Sequence, residues 1–440
     1  MQIPDTGLDV RPDAPRHTNA GVREAADGGV RGHTDLDAAP RTGPDPRRST
    51  VPDRDVRTAG HVDPAAESPR PAGAPTAPPG LPALPPRLHT VPRAADLPRP
   101  AWDRLAGPDG AYLATRWLDV AEDTSGAVMR YLTLTDDEGL AGGLATAVAD
   151  ADAPWLAGRT DTVLRRSAQE GLPGARELAA SLPTDLTTAL LPGLVCGGRH
   201  LGRTTLLDRD GRGGTGERLV SAAEELAEQE GLRSVAFLHV DEHDTSLRGL
   251  LTRRGYRFFH SEDYHWLPVP RGGFPEYAAG FSAHRRRRIG AERRAVRDAG
   301  VRITTAPLDP ADIPRCAELE TTLLGKYGMT AWTPERSAAI LRRAHAACGP
   351  DALAATARLD GDVIGFALIL VHRDRWFAHR AGFDYAAQRG LPLYFELLFY
   401  HLVEAAARAG AAVIHYGTGS GSAKSSRGCL GSAQYTYLLT

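Results

Sequence analysis

Near the end of this 440-residue chain, a glycine-rich stretch runs from Tyr416 to Gly428 and carries Lys424 and Arg427. Lys424 is one of only two lysines in the chain, the other being Lys326; every other Lys/Arg-type cation is arginine. Arginine keeps its proton and presents a planar fork, whereas an ammonium is a compact point donor. Beside a carbonyl under attack, such a point charge stabilises the developing oxyanion by a few kcal/mol, roughly 3. The set therefore suits attack of an amine on an ester or thioester. Glu396 is the candidate for taking the amine proton, and Tyr416 is a third candidate catalytic group at the start of the loop. The ends of two paired strands bring Arg380 and Tyr416 towards one mouth. Gly417, Gly419 and Gly421 let backbone amides approach a ligand closely. Tyr394 and Arg427 are expected as further substrate contacts, and Lys326 and Trp332, between two helices, as lining of a cleft. Each has a plain alternative: a loop lysine on the surface, a helix N-terminal carboxylate favoured by the dipole, or core packing.

Two places have anion chemistry. Arg285 to Arg288 with Arg293, Arg294 and Arg297 form the densest charge, and helical spacing puts Arg286, Arg293, Arg294 and Arg297 on one stripe. Such a stripe suits RNA phosphates, a nucleotide or a phosphorylated substrate; a solvated helix face is the plain reading. Further upstream, Gly211-Arg212-Gly213-Gly214-Thr215-Gly216 opens a helix. Backbone N–H groups at Gly213, Gly214 and Gly216, with the helix N-terminus, would cradle a phosphate.

The elements around these residues can be read from period and punctuation. Residues 1–98 are rich in Pro, Gly, Ala, Asp and Arg and hold no Phe, Trp, Tyr, Lys or Cys. They cannot bury enough apolar area to offset an ordering cost of roughly 1–2 kcal/mol per residue, so a disordered tail is expected, polyproline-like over 71–98. From Trp102 onwards, strands are expected at 128–135, 140–148, 190–196, 204–207, 234–240 and 256–269, with helices after Gly216 and at 247–254. A second cycle follows: helix 281–298, strand 301–305, helices 313–324 and 334–347, strands 353–359, 363–371 and 376–383, helix 393–409, strand 412–416 and tail strand 433–439. This repetition suggests an internal duplication, with domains at 99–270 and 271–440.

Composition excludes several classes. Net charge is −2, which argues against a general DNA binder. The four cysteines show no paired spacing, so neither a zinc site nor a disulfide framework is expected. No window reaches about 18 apolar residues. A cytoplasmic protein without a membrane span or metal is the expectation.

The stretch from Gly211 to Tyr256 resembles the core of a GNAT-superfamily acyltransferase domain, though Gly211 stands where Gln or Arg is usual and Leu250 and Leu251 stand near the expected tyrosine. Residues 281–300 resemble the Arg-rich helix that opens the second domain of Fem-type, peptidoglycan biosynthesis/recognition proteins. The constellation His379 to Asp384, Leu393-Tyr394-Phe395-Glu396 and the glycine loop ending in Lys424-x-x-Arg427-Gly428 is similar to tandem GNAT proteins of the BioF2-like and Fem-like type. This similarity spans about 100–440. It implies an α/β (α+β) fold of two tandem acyl-CoA N-acyltransferase-like domains with mixed, mostly antiparallel sheets. It also implies acyl transfer to a small-molecule or peptide amine in the interdomain cleft, nearer the second domain. The implied donor is an acyl-CoA or an aminoacyl-tRNA, and the late-loop lysine of Fem-type enzymes implies a transition-state role for Lys424. Neither half has the full pyrophosphate loop; the second offers only Gln388-Arg389-Gly390-Leu391-Pro392. A non-catalytic GNAT-fold binding module, or a nucleic-acid-binding regulator using the Arg-rich helix, are the other classes left open.

Overall fold

Short runs of aliphatic and β-branched residues, broken by glycine turns, build thirteen strands of one sheet in the computed structural model, which describes residues 86–197, 203–209, 211 and 214–440. The strands are β1 (Arg87–Val91), β2 (Val128–Asp136), β3 (Gly139–Ala149), β4 (Gly193–Cys196), β5 (Leu207–Asp208), β6 (Val235–Asp241) and β7 (Arg257–Pro268). The second cycle adds β8 (Arg302–Pro307), β9 (Ala352–Leu359), β10 (Asp362–His372), β11 (Arg375–Phe383), β12 (Val413–Gly417) and β13 (Leu430–Leu439). Their order is β1-β2-β3-β4-β6-β13-β7-β12-β11-β10-β9-β8, with β5 on β3. The β9–β10 hairpin turns at Asp360-Gly361, where both residues take positive φ, 51° and 96°. That is the turn geometry whose twist matches paired strands.

Only β4 with β6 and β11 with β12 pair in parallel among these strands. Each parallel pair is bridged by a helix, Gly214–Gln229 in the first half and the helical run from Leu393 to Arg408 in the second. Both pairs diverge after three residues. Pairing of β4 with β6 stops at Cys196 and Phe237, and that of β11 with β12 at Phe377 and His415. A mixed, mostly antiparallel sheet with the same strand–helix–strand unit in each half is the expected fold class.

Three features differ from the sequence reading. Residues 1–85 of the expected tail lie outside the described residues, but its last part is a strand: Arg87–Val91 pairs antiparallel with Tyr131–Thr135. The open edge of β2 supplies the backbone partners that a polar segment needs, and Ala94 and Leu97 pack beside Trp102. Second, β13 does not stay with its own half. It inserts between β6 and β7, so the last strand completes the sheet of the first half across the line drawn at residue 270. Third, the helices Thr160–Glu170, Ala175–Ala180 and Leu186–Leu190 cover one face of β4, β6 and β7 through Val163, Leu164, Leu178 and Leu190. The halves also share a core, in which Tyr112, Trp117 and Trp155 pack with Ile313, Cys316, Leu341 and Phe377.

Candidate functional site

The glycine loop folds back on itself because Gly417 (φ 65°), Gly419 (75°) and Ser420 (51°) are left-handed. Its carbonyls turn inward onto Lys424, which is buried at 5% exposure. Nζ donates to the carbonyl oxygens of Tyr416 at 2.8 Å, Gly417 at 2.9 Å and Thr418 at 2.8 Å. An ammonium has three donors and no more. Lys424 is therefore a loop pin, and the expectation of a free ammonium facing a carbonyl under attack is corrected. Burial draws its pKa down to about 8, with Cys429 and Glu262 opposing.

The neighbouring candidates are engaged as well. The Tyr416 hydroxyl donates to the Leu398 carbonyl at 2.8 Å and its ring stacks on Phe399, so it offers no proton to a substrate. Arg427 is buried; its Nε donates to the Tyr400 hydroxyl at 2.7 Å, Nη2 lies 3.1 Å from Glu292 Oε2, and the guanidinium covers the Phe395 ring. Tyr394 is half-buried and hydrogen-bonded to Ser420, and burial pushes its pKa up to about 12. Glu396 is not beside Lys424's ammonium: its Oε1 takes Arg293 Nε at 3.1 Å, and Arg293 also reaches Glu404. Burial raises the pKa of Glu396, and Arg293 opposes. Gly421 packs against His265.

Arg380 sits just past a bulge at His379, where β11 leaves β12. It is buried in a pair with Glu320, between the rings of Trp155 and Trp332 at 5.6 Å each. Gly382 lets the helix Ile313–Lys326 come this close, since a Cβ there would meet the backbone of Leu319 and Glu320 at 2.4 Å. Trp332 is a buried packing residue whose Nε1 donates to Ser337. Lys326 is exposed and lies over the Tyr385 ring.

A cavity of about 430 Å³ draws on both halves. Thr162, Arg166 and Ser167 line it from the first half with His239, Ser261 and Glu262, and Tyr327 and Met329 close it from the second. Glu262 connects this cavity to the glycine loop. Its Oε1 lies 3.1 Å from Arg166 Nη1, and the Gly419 backbone and the Lys424 ammonium lie close enough to favour its charged form. Burial raises its pKa, with Arg166 opposing. His239 is buried with φ 59°, and neither ring nitrogen completes a hydrogen bond. Burial lowers its pKa to about 4, the Ala157 backbone opposing, so the ring is neutral near pH 7. Sequence reasoning missed Glu262, His239 and Ser261. For His239 a polar residue inside the apolar strand Val235–Asp241 was the available signal, whereas Ser261 and Glu262 lie among other polar residues of Arg257–Pro268 and carry none.

The described residues at both glycine stretches bring carboxylates of their own. Gly214 and Gly216 stand in the first turns of their helix, while Gly213 lies outside the described residues. The nearby cavity, about 280 Å³, is lined by Asp208 and Asp244 as well as Arg253, and Asp208 accepts the Gly211 N–H at 3.1 Å. In the second half, Asp384 Oδ1 accepts the N–H groups of Ala386 (3.0 Å) and Ala387 (2.8 Å), while Oδ2 pairs with Arg315 at 2.6 Å. The chain's own carboxylate already occupies those amides. On the helix Ala283–Asp298, Arg286, Arg294 and Arg297 are exposed, whereas Arg293 is drawn into its two carboxylates. Among the described residues, no helix is long and apolar enough to cross a membrane.

The FemAB-like family model, described as peptidoglycan biosynthesis/recognition, matches residues 197–439. No curated protein matches. Among solved structures, FemX aligns at 13% identity with a TM-score of 0.53, covering 79% of this chain and 96% of its own. A tandem GNAT protein from the clavulanic acid biosynthesis pathway aligns at 15% identity and TM-score 0.46, covering 80% of this chain and 98% of its own. A conserved protein of unknown function from Bacteroides thetaiotaomicron VPI-5482 aligns at 13% and 0.47, covering 78% and 98%. At such identities the likeness to FemX speaks for the fold. The family match spans more than half of the sequence, and this chain belongs to the FemAB-like family of peptidoglycan biosynthesis/recognition proteins.

Proposed function

We propose that the chain transfers an acyl group from an activated ester to an amine in the cavity between its halves, with an aminoacyl-RNA ester rather than an acyl-CoA as donor. The observation that carries the choice of donor is Asp384. A CoA pyrophosphate needs the free amides of the loop after β11, and Asp384 holds them together with Arg315. In the first half, Asp208 and Asp244 would repel the same group. The exposed Arg286, Arg294 and Arg297 suit an RNA backbone instead.

In this reading the acceptor nitrogen attacks the ester carbonyl carbon. The C–N bond forms, the bond to the ribose oxygen breaks, and the amine proton passes to Glu262 and on to the departing hydroxyl. A buried carboxyl with a raised pKa is better matched to neutral pH as an acid–base pair. Lys424 is a positioning residue that fixes the loop facing Glu262, and its charge favours the carboxylate there. The family description supports a cell-wall peptide amine as acceptor, and an RNA donor would place the reaction in the cytoplasm.

The test is product formation from charged tRNA and from acetyl-CoA, each with and without RNase. Turnover that RNase abolishes is expected; RNase-resistant turnover of acetyl-CoA would overturn the donor. The saturated Lys424 favours one other reading, a non-catalytic GNAT-fold binding module. Turnover by the native chain that Glu262→Gln removes would exclude it.

A further inference from the structure

Beneath the Arg-rich helix lies a second cavity, about 550 Å³, whose lining includes Arg294 and Arg297, two of the arginines given above to an RNA backbone. Arg294 and Arg297 are its exposed cations, Val296, Val301 and Ile303 its apolar wall, and Glu396 its buried carboxylate. Two independent features of Glu396 point to a ligand. It is 6% exposed, and while Oε1 is paired with Arg293, Oε2 has no hydrogen-bond partner. Leaving a buried acceptor bare costs about 1–3 kcal/mol, more for a charged group. Glu396 also opens a π-turn that runs to His401. Such wide turns are rare and frequent at functional sites, and this one brings Glu396 and His401 onto one cavity.

We propose that this cavity binds a ribonucleoside monophosphate unit, with its phosphate on Arg294 and Arg297, its base along Val296, Val301 and Ile303, and a hydroxyl or exocyclic amine donating to Glu396 Oε2. Arginine suits a phosphate through its paired donors. The apolar wall suits a flat ring, and the bare carboxylate oxygen selects a ligand with a donor of its own. The unit is either a free nucleotide or one residue of an RNA. The RNA arm rests on the transfer reading, whereas the free-nucleotide arm does not, because a free nucleotide would satisfy it in a chain that transfers nothing.

The full chain is titrated calorimetrically with 5′-AMP, 5′-UMP, the parent nucleosides and a short single-stranded RNA. The monophosphates are expected to bind, and the nucleosides to bind about tenfold more weakly or worse. Arg294→Glu with Arg297→Glu should give a loss of similar size, with the thermal melt unchanged because both side chains are exposed. Gly290→Leu is the decisive variant. It keeps every charge but fills the space, since even a Cβ at Gly290 would lie 3.3 Å from Arg294 Nη1. Loss of mononucleotide binding in this variant supports a free nucleotide, and loss of RNA binding without mononucleotide binding supports a residue of RNA. Mononucleotide and RNA binding that both survive Gly290→Leu in full, or no binding of either probe, overturns the pocket.

Discussion

The Lys424 ammonium lies 2.8 Å from the carbonyl oxygen of Tyr416, eight residues back along the chain. With Gly417 and Thr418 it closes a ring of three acceptors around one buried charge. Replacing Lys424 with Met should cost about 3 kcal/mol or more in urea unfolding, because three carbonyls lose a charged donor. Arg at this position should not restore stability, since a planar fork cannot converge on three oxygens. In a transfer assay, kcat should fall more than KM rises, as the loop loses its hold on Glu262. Wild-type unfolding of Lys424→Met would mean the pin is not structural.

Asp384 leads to an outcome of unusual sign. Its carboxylate holds two loop amides and Arg315. Asp384→Ala should lower stability by about 1 kcal/mol, as for loss of a capping side chain. It should also raise affinity for CoA, measured by equilibrium dialysis, because it frees donors where a pyrophosphate would sit. A variant that is destabilised yet binds CoA no better than the native chain would remove the argument for self-occupation.

Arg427 and Glu292 form a pair that is almost wholly withdrawn from water, with Tyr400 bonded to both. Truncating Arg427 to Ala alone should cost about 3 kcal/mol, because the Glu292 carboxylate loses its buried partner and keeps only the exposed Arg288 and the Tyr400 hydroxyl. The double variant Arg427→Met with Glu292→Gln should recover part of that loss. Additive losses in the cycle would show that the two groups are not coupled.

Most elements were legible because their periods are local. β10 reads as an unbroken apolar run after Asp360-Gly361, and the structure places it at Asp362–His372 with both neighbours antiparallel. What stayed hidden is non-local. Nothing in Leu430–Leu439 says that it inserts between β6 and β7, because a strand pattern names a face and not a neighbour. The helices between Thr160 and Leu190 carry mixed polar surfaces, and the sequence reading assigns no element there. For the site, residue type singled out Lys424 in a glycine loop but said nothing of where the carbonyls face. That depends on the left-handed backbone at Gly417, Gly419 and Ser420. Glu262 escaped notice because the groups it faces, Arg166 and the loop at Gly419, are far along the chain.

Acid should unfold this protein before its carboxylates titrate, and His239 and His401 are the reason. Burial holds both pKa values at about 4 in the folded chain, against 6.5 in an exposed histidine. Between pH 6.5 and 4 the unfolded chain therefore binds protons that the folded chain refuses, so stability rises with pH across this window and is lost on acidification. From pH 7 to pH 5 each site contributes a loss of up to about 2 kcal/mol. Glu262 and Glu396 act in the opposite sense, because their raised pKa values favour proton uptake by the folded state as pH falls. Thermal melts at pH 7 and pH 5 should show the net loss. His239→Asn isolates one contribution, since asparagine tolerates the 59° φ and carries no titrating group. The variant should lose less stability between the two pH values than the native chain, whatever its stability at pH 7. Equal losses would mean that the imidazole of His239 reaches solvent in the folded state and takes up its proton there.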